Sequence, residues 1–166
     1  AVDMQSLVAD TRAMLDSNLQ AEAEASGHVH QVEWNIAPLP IVVGDENMIR
    51  QVWLNLLGNA VKYSGNREPA KIRVDYQPQP DGGHQFTVSD NGAGFDMAYA
   101  GKLFGVFQRL HKASDYPGTG IGLASVRRVL TRHGGRIWAE AEPDVGATFH
   151  FYLPPATDAD KQGPSA

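Results

Sequence analysis

The chain has 166 residues, 42% hydrophobic and 20% charged, which fits one globular domain with a real core plus terminal extensions and leaves little room for a second. A formal net charge of -5 with no long basic run argues against a nucleic-acid face, so any polyanion bound is a small one. The lack of cysteine removes disulfides, thiolate metal sites and cysteine nucleophiles together and is compatible with a cytosolic setting, while no apolar run approaches the roughly 20 residues of a bilayer span and the N-terminus has no signal-peptide pattern.

In chain order, Asp3 to Ala25 carries Leu7, Val8, Met14, Leu15 and Leu19 among polar residues, which predicts an amphipathic helix ending near Gly27. Val29 to Ile36 alternates and predicts a strand, followed by the Pro38-Leu39-Pro40 break and the short run Ile41-Val42-Val43. Asp45 is placed to cap a central helix, with Glu46 in the first turn where the helix dipole favours an acid. Ser64-Gly65-Asn66 ends that helix.

From Gln51 to Tyr63 the central helix has one narrow wet stripe. At about 100° per residue, Gln51, Asn55, Asn59 and Lys62 share one side, and Trp53, Leu56, Leu57, Ala60 and Val61 the other. A solvated helix of this length normally carries Glu, Lys and Arg at i, i+4 spacing on its outer face. Amides instead can ligate a hard cation without adding charge, and a Lys one turn on can meet the anion accompanying it, so the stripe suits a metal-nucleotide. Two Asn that merely cap neighbouring loops would look the same.

Lys71 to Tyr76 and His84 to Ser89 predict an antiparallel strand pair across the turn-rich Pro78 to Gly83. Asp90 to Gly118 has no clear periodicity and many glycines. A second long helix is predicted from Thr119 to His133, stopped by Gly134-Gly135. Arg136 to Glu140 and Ala147 to Leu153 then predict a hairpin around Gly146, with residues 155–166 expected to be a disordered tail. The domain is expected to span residues 1–154, with 1–25 as a leading helix or linker.

Two further stretches carry chemistry. In Asp90-Asn91-Gly92-Ala93-Gly94-Phe95, an Asp at a strand end could accept a hydrogen bond from an exocyclic amine while glycines let a flat ring approach the backbone; a plain Asp-Asn-Gly turn reads equally well. In Tyr116-Pro117-Gly118-Thr119-Gly120-Ile121-Gly122-Leu123, alternating glycines at a helix start free backbone N–H groups to face an anion. It is neither a Gly-Lys-Ser/Thr phosphate loop nor a dinucleotide fingerprint, because no strand feeds into it.

The ordered set Asn55-x-x-x-Asn59-Ala60-x-Lys62-Tyr63, Asp90-x-Gly92-x-Gly94, Phe104-x-x-Phe107-x-Arg109 and Gly118-Thr119-Gly120-x-Gly122-Leu123 resembles the catalytic, ATP-binding domain of sensor histidine kinases. Gly134 to Trp138 and Gly146 to Phe149 look like the same family, over about residues 3 to 154, and Phe107 to His111 with Tyr116 to Gly120 looks most like its phytochrome-attached branch. The resemblance implies a two-layer α/β sandwich of the Bergerat type, a mixed sheet packed on helices with a lid over the nucleotide, and ATP with Mg²⁺ as cofactors. Carried over, Asn59 binds the metal, Asn55 supports the metal and phosphate region, and Lys62 meets phosphate. Tyr63 packs near adenine, Asp90 takes its amine, Gly92 and Gly94 give close approach, and Thr148 assists through water. Arg109 reaches the γ-phosphate, the stretch Gly118, Thr119, Gly120, Ile121, Gly122 and Leu123 holds the phosphate chain, and Phe104 and Phe107 anchor the lid. The lid is expected to run roughly from Phe95 to Pro117, mobile without nucleotide and partly ordered with it. Val106 departs from the pattern, standing where many relatives carry Arg.

ATPases that resemble this pattern, such as gyrase and mismatch-repair proteins, place a Glu four residues before the metal Asn to activate water. This chain has Asn55 there, and an amide takes no proton at neutral pH, so a kinase half is favoured over a hydrolase. None of His28, His30, His84, His111, His133 or His150 is followed by an acid, so the phosphoacceptor is expected on a histidine-containing dimerisation domain outside this chain, with a response regulator downstream. The histidines read as structural or surface residues. The isolated domain is expected to be a cytoplasmic monomer without a nucleic-acid partner or direct membrane insertion, and the full-length kinase a homodimer. A non-catalytic nucleotide-binding or docking module is the reading from a different class.

Overall fold

Period-two alternation in the second half of the chain builds the sheet. The computed structural model describes residues 1–65, 67–97 and 121–156. β4 (Ala70–Pro78) turns Ala70, Ile72 and Val74 inward and Lys71 and Arg73 outward, and β5 (His84–Asp90) turns Phe86 and Val88 inward. The two pair antiparallel, Ile72 opposite Asp90 at one end and Pro78 opposite His84 at the other. β7 (Gly146–Leu153) buries Ala147, Phe149 and Phe151 and lies antiparallel between β5 and β6 (Arg136–Glu142). β2 (Val32–Ile36) joins the free edge of β4 in parallel, giving a five-stranded mixed sheet in the order β2-β4-β5-β7-β6. Parallel neighbours need a crossover, and the chain between them supplies a helix, α2 (Glu46–Tyr63).

With α2, two more helices cover the inward face: α1 (Met4–Ser26) and α3 (Ile121–Arg132). Ile49, Val52, Trp53, Leu56, Leu57, Ala60 and Val61 of α2 are buried on the strand side chains, so its apolar row lies where the sequence put it. Trp53 is fully buried and meets Phe86 and Phe151 edge-on, at ring-centroid distances of 5.6 and 5.1 Å. Its Nε1 is the one buried side-chain polar atom without a hydrogen-bond partner among the described residues.

Caps fix the helix ends. Asp3 accepts from the Ser6 amide, Asp45 accepts from the Met48 amide at 3.0 Å, and Gly27 (φ 76°) closes α1 by donating to the Ala23 carbonyl. His133, just past α3, donates from Nδ1 to the Val129 carbonyl at 2.8 Å and accepts at Nε2 from the Asp45 amide at 3.0 Å. The imidazole therefore ties the end of α3 to the start of α2. At the β4–β5 turn, the Gln79 amide donates to the Gly83 carbonyl, the Gly82 amide donates to the Gln79 carbonyl, and the Tyr152 hydroxyl donates to Asp81.

Three local expectations change. β1 (Val2–Asp3) pairs antiparallel with β3 (Ile41–Val42), a two-residue ladder too short to leave a period. The strand expected from Val29 begins at Val32, and His30 instead meets the Ser64 carbonyl at 3.2 Å. In α1 the buried positions are Met4, Leu7, Val8 and Thr11, Leu15 and Leu19 pack half-buried against the core, and Met14 is 43% exposed, off that stripe. The expected helix start at Thr119 and the tail from residue 157 onward lie outside the described residues.

Candidate functional site

Asn55, Asn59 and Tyr63 follow one another at i, i+4 along α2 and are all half-buried, with Lys62 beside them. The amides thus form a stripe at the margin of the core rather than on a fully solvated face. The Lys62 ammonium stands 5.6 Å from the Tyr63 ring centroid.

The C-terminus of α2 is joined directly to the turn after β5. The Ala93 amide donates to the Tyr63 carbonyl at 2.9 Å. Gly92 lies so close to that carbonyl that a Cβ there would stand 2.3 Å from the Tyr63 oxygen, and Gly94, at φ 64°, would bring a Cβ to 2.1 Å from the Glu142 oxygen. Both glycines are therefore required by the close approach of three backbone segments.

Asp90 ends β5 on the inward face, opposite Ile72 on one side and Ala147 on the other. Its Oδ1 accepts the Gly92 amide at 2.8 Å, and the Ala147 amide also favours its charge. Burial outweighs both and pushes the carboxyl up to about 6 from the ordinary 3.8. A buried acid with incomplete compensation gains from one more donor, which is what an exocyclic amine offers.

Thr148 does not join this group. It pairs with Ser89, one position out of phase with Asp90 and Ala147, so strand alternation puts it on the outer face with Ser89 and Glu140. The inward neighbour of Asp90 on β7 is Ala147. A cleft of about 560 Å³ is lined by the outward residues Glu33, Asn35, Lys71, Arg73 and Ser89 together with Asp90 and Asn91, so it reaches the strand end that carries the candidate acid.

Phe95, expected at the start of the lid, is buried against the core with Phe149 at 6.3 Å, so the ordered floor extends through it. Ile121, Gly122 and Leu123 form the first turn of α3, and Leu123 packs on the core. Phe104, Val106, Phe107, Arg109, Gly118, Thr119 and Gly120 lie outside the described residues. Among the described residues no group of three or more His, Cys, Asp or Glu could hold a metal, and no helix is long and apolar enough to cross a membrane.

Two residues that sequence reasoning missed organise the turn. The Asn91 side chain accepts from the Lys71 amide at 2.8 Å and donates to the Pro69 carbonyl. Arg67 donates to the carbonyls of Asn91, Gly92 and Asp144 at 2.7, 3.2 and 2.6 Å. Asn91 carried a signal as the middle of an Asp-Asn-Gly turn; Arg67, a lone basic residue in a connection, carried none.

A family model described as "Histidine kinase-, DNA gyrase B-, and HSP90-like ATPase" matches residues 44–157. The chain is 38% identical over 138 residues to the phytochrome-like protein Cph1 of Synechocystis sp., covering 83% of this chain and 18% of that protein. It is 42% identical over 116 residues to the adaptive-response sensory kinase SasA of Thermosynechococcus vestitus, covering 70% of this chain and 30% of that kinase. The chain thus spans less than a third of either relative. Among solved structures, a mycobacterial sensor histidine kinase, MprB, superposes with a TM-score of 0.74 at 25% identity over 92% of this chain and 95% of that one. Full-length ShkA in complex with AMPPNP gives 0.73 at 27% identity, over 93% of this chain and 30% of that one. Fold, motif order and relatives agree, and the chain belongs to the histidine kinase-, DNA gyrase B- and HSP90-like ATPase family, as a catalytic domain of the histidine kinase type.

Proposed function

We propose that the chain binds Mg-ATP and transfers its γ-phosphoryl group to a histidine on a separate dimerisation domain, as the cytoplasmic catalytic domain of a two-component sensor kinase with a response regulator downstream. The observation that carries this reading is the direct joint between the amide stripe of α2 and the turn that holds Asp90. One side of the site then offers uncharged oxygen donors and an ammonium, and the other an acid suited to a base amine.

In this reading Asn59 ligates the metal through its amide oxygen, Asn55 orders the same region, and Lys62 faces phosphate. Tyr63 and the backbone of Gly92 and Gly94 bound the base, and Asp90 accepts from it. Arg109 and the residues from Gly118 to Leu123 complete the phosphate side. Magnesium supplies charge neutralisation on the phosphates when bound. Asn55 cannot take a proton from water, so efficient hydrolysis lacks its base, whereas transfer to a better nucleophile needs mainly positioning.

Purified domain should bind ATP, release phosphate very slowly alone, and produce acid-labile, base-stable phosphohistidine when a cognate acceptor hairpin is added. General-base assistance is worth about 10²- to 10⁴-fold, so its absence should separate the domain from ordinary ATPases. Rapid turnover without acceptor would overturn the kinase assignment.

A further inference from the structure

Arg67 sits in the connection from α2 to β4, half-buried, and its guanidinium is spent on main chain. The identity of the carbonyls matters more than their number. A trans peptide is planar, with its C=O and N–H pointing opposite ways. The Asn91 carbonyl that Arg67 Nε holds belongs to the same peptide unit as the Gly92 N–H, which donates to Asp90 Oδ1. The Gly92 carbonyl that Nη2 holds belongs to the same unit as the Ala93 N–H, which donates to the Tyr63 carbonyl. One guanidinium therefore sets two consecutive peptide planes, the first aimed at the carboxylate and the second at the end of α2.

The third contact closes the far side. Arg67 also holds the Asp144 carbonyl, and the Asp144 amide donates to the Ala93 carbonyl at 2.7 Å. Asp144 is the one non-glycine residue with positive φ among those described, at 62°. The β6–β7 turn is thus bent against the turn after β5 through the same cation. A planar fork with fixed donors can satisfy these carbonyls together; an ammonium can reach one or two but cannot fix two planes at once.

We propose that Arg67 is a positioning residue for base recognition, acting through the Asn91–Gly92 peptide to orient and polarise the Asp90 carboxylate. A cation at one end of a hydrogen-bonded chain and an anion at the other strengthen the bonds between them. Arg67 touches no nucleotide in this scheme, and its loss lowers discrimination between bases while leaving phosphate binding largely intact. The inference rests on the assignment of Asp90 to the adenine amine.

The test is calorimetric titration of folded wild type, Arg67→Met, Arg67→Lys and Asp90→Asn with ATP, GTP and inorganic tripolyphosphate, together with an NMR titration of the Asp90 carboxyl carbon. Wild type preferring ATP, with that preference lost in Asp90→Asn, upholds the site assignment; no preference in wild type overturns that assignment and the inference with it. Given the preference, Arg67→Met should reduce it about 10-fold, leave tripolyphosphate affinity within about twofold and raise the Asp90 titration midpoint. Arg67→Lys, which keeps charge and stem, should recover less than half of the preference and serves alone should the Met variant fail to fold. The double variant Asp90→Asn/Arg67→Lys should discriminate no worse than Asp90→Asn, since both act through one carboxylate. Unchanged preference and an unmoved midpoint in a folded Arg67 variant, or additive losses in the double variant, would overturn the inference while leaving the ATP site standing.

Discussion

At Asp90 the proposed role in base recognition and the stability of the fold pull in opposite directions. Burial lifts its carboxyl from 3.8 to about 6, which disfavours the charged form by about 3 kcal/mol in the folded chain. Because the folded value is raised, the folded state binds the proton more tightly than the unfolded one. This contribution to stability is fully present below pH 3.8, declines as pH rises towards 6 and is lost above it. Asp90→Asn should therefore stabilise the nucleotide-free domain at pH 7.5 by up to about 3 kcal/mol, read as a higher urea midpoint, and weaken adenine binding. Adenosine affinity of the wild type should fall about tenfold per pH unit below 6, while that of Asp90→Asn should stay flat; identical profiles would remove Asp90 from the base site. Asn59→Ala should instead abolish only the part of ATP affinity that depends on added Mg²⁺, seen by titrating with and without the metal. The acid itself was legible, since it ends an alternating strand and opens a glycine turn. Its orientation through Arg67 was not, because a guanidinium bound to main-chain carbonyls leaves no pattern in side-chain spacing.

Helix α2 turns its apolar row to the core and carries the candidate site's amides at the margin of that row, and two glycines, Gly58 within it and Gly92 packed on its end, predict opposite outcomes. Gly58 has nothing within 4 Å of a would-be Cβ, so Gly58→Ala should raise stability by about 0.5–1 kcal/mol through helix propensity. Gly92, packed on the end of α2, has the Tyr63 carbonyl 2.3 Å from that position, so Gly92→Ala should force the turn away from the helix and reduce both stability and ATP affinity. Thermal unfolding of both variants with and without nucleotide checks the pair; a neutral Gly92→Ala would contradict the packed joint. Elements with an unbroken period, such as α2, β4, β5 and the β6–β7 hairpin, were readable because each presents one apolar face to a single core. The β1–β3 ladder was not, since its two-residue strands are set by long-range pairing. The face that Thr148 occupies was not readable for a related reason: it depends on register with β5, where Thr148 pairs with Ser89.

For the whole molecule, the sheet and helices close over one core while the proposed nucleotide site lies at the joint between α2 and the turn after β5. The opposite end is held by His133, whose two hydrogen bonds require the neutral ring with the proton on Nδ1. His133→Ala should cost about 1–2 kcal/mol of stability by leaving the Asp45 amide and the Val129 carbonyl to find other partners. Saturating Mg-ATP at about 100 times its dissociation constant should add about 2.7 kcal/mol to the folded state of wild type. His133→Ala should gain the same increment, if its role is confined to the helix ends. A variant that loses the nucleotide increment as well would show that the bracket reaches the site.

The β4–β5 turn lies at the other end of the strand pair from Asp90, six residues along β5 or about 20 Å away. Pro80 is exposed there, while its neighbour Asp81 holds the Tyr152 hydroxyl and is best left alone. The chain contains no cysteine. Pro80→Cys would thus give a single thiol for a dye, a spin label or attachment to a surface, with no competing site and no expected effect on nucleotide binding. A second cysteine introduced by Asn18→Cys, exposed in the solvated half of α1, would turn the same molecule into a distance ruler between sheet and leading helix.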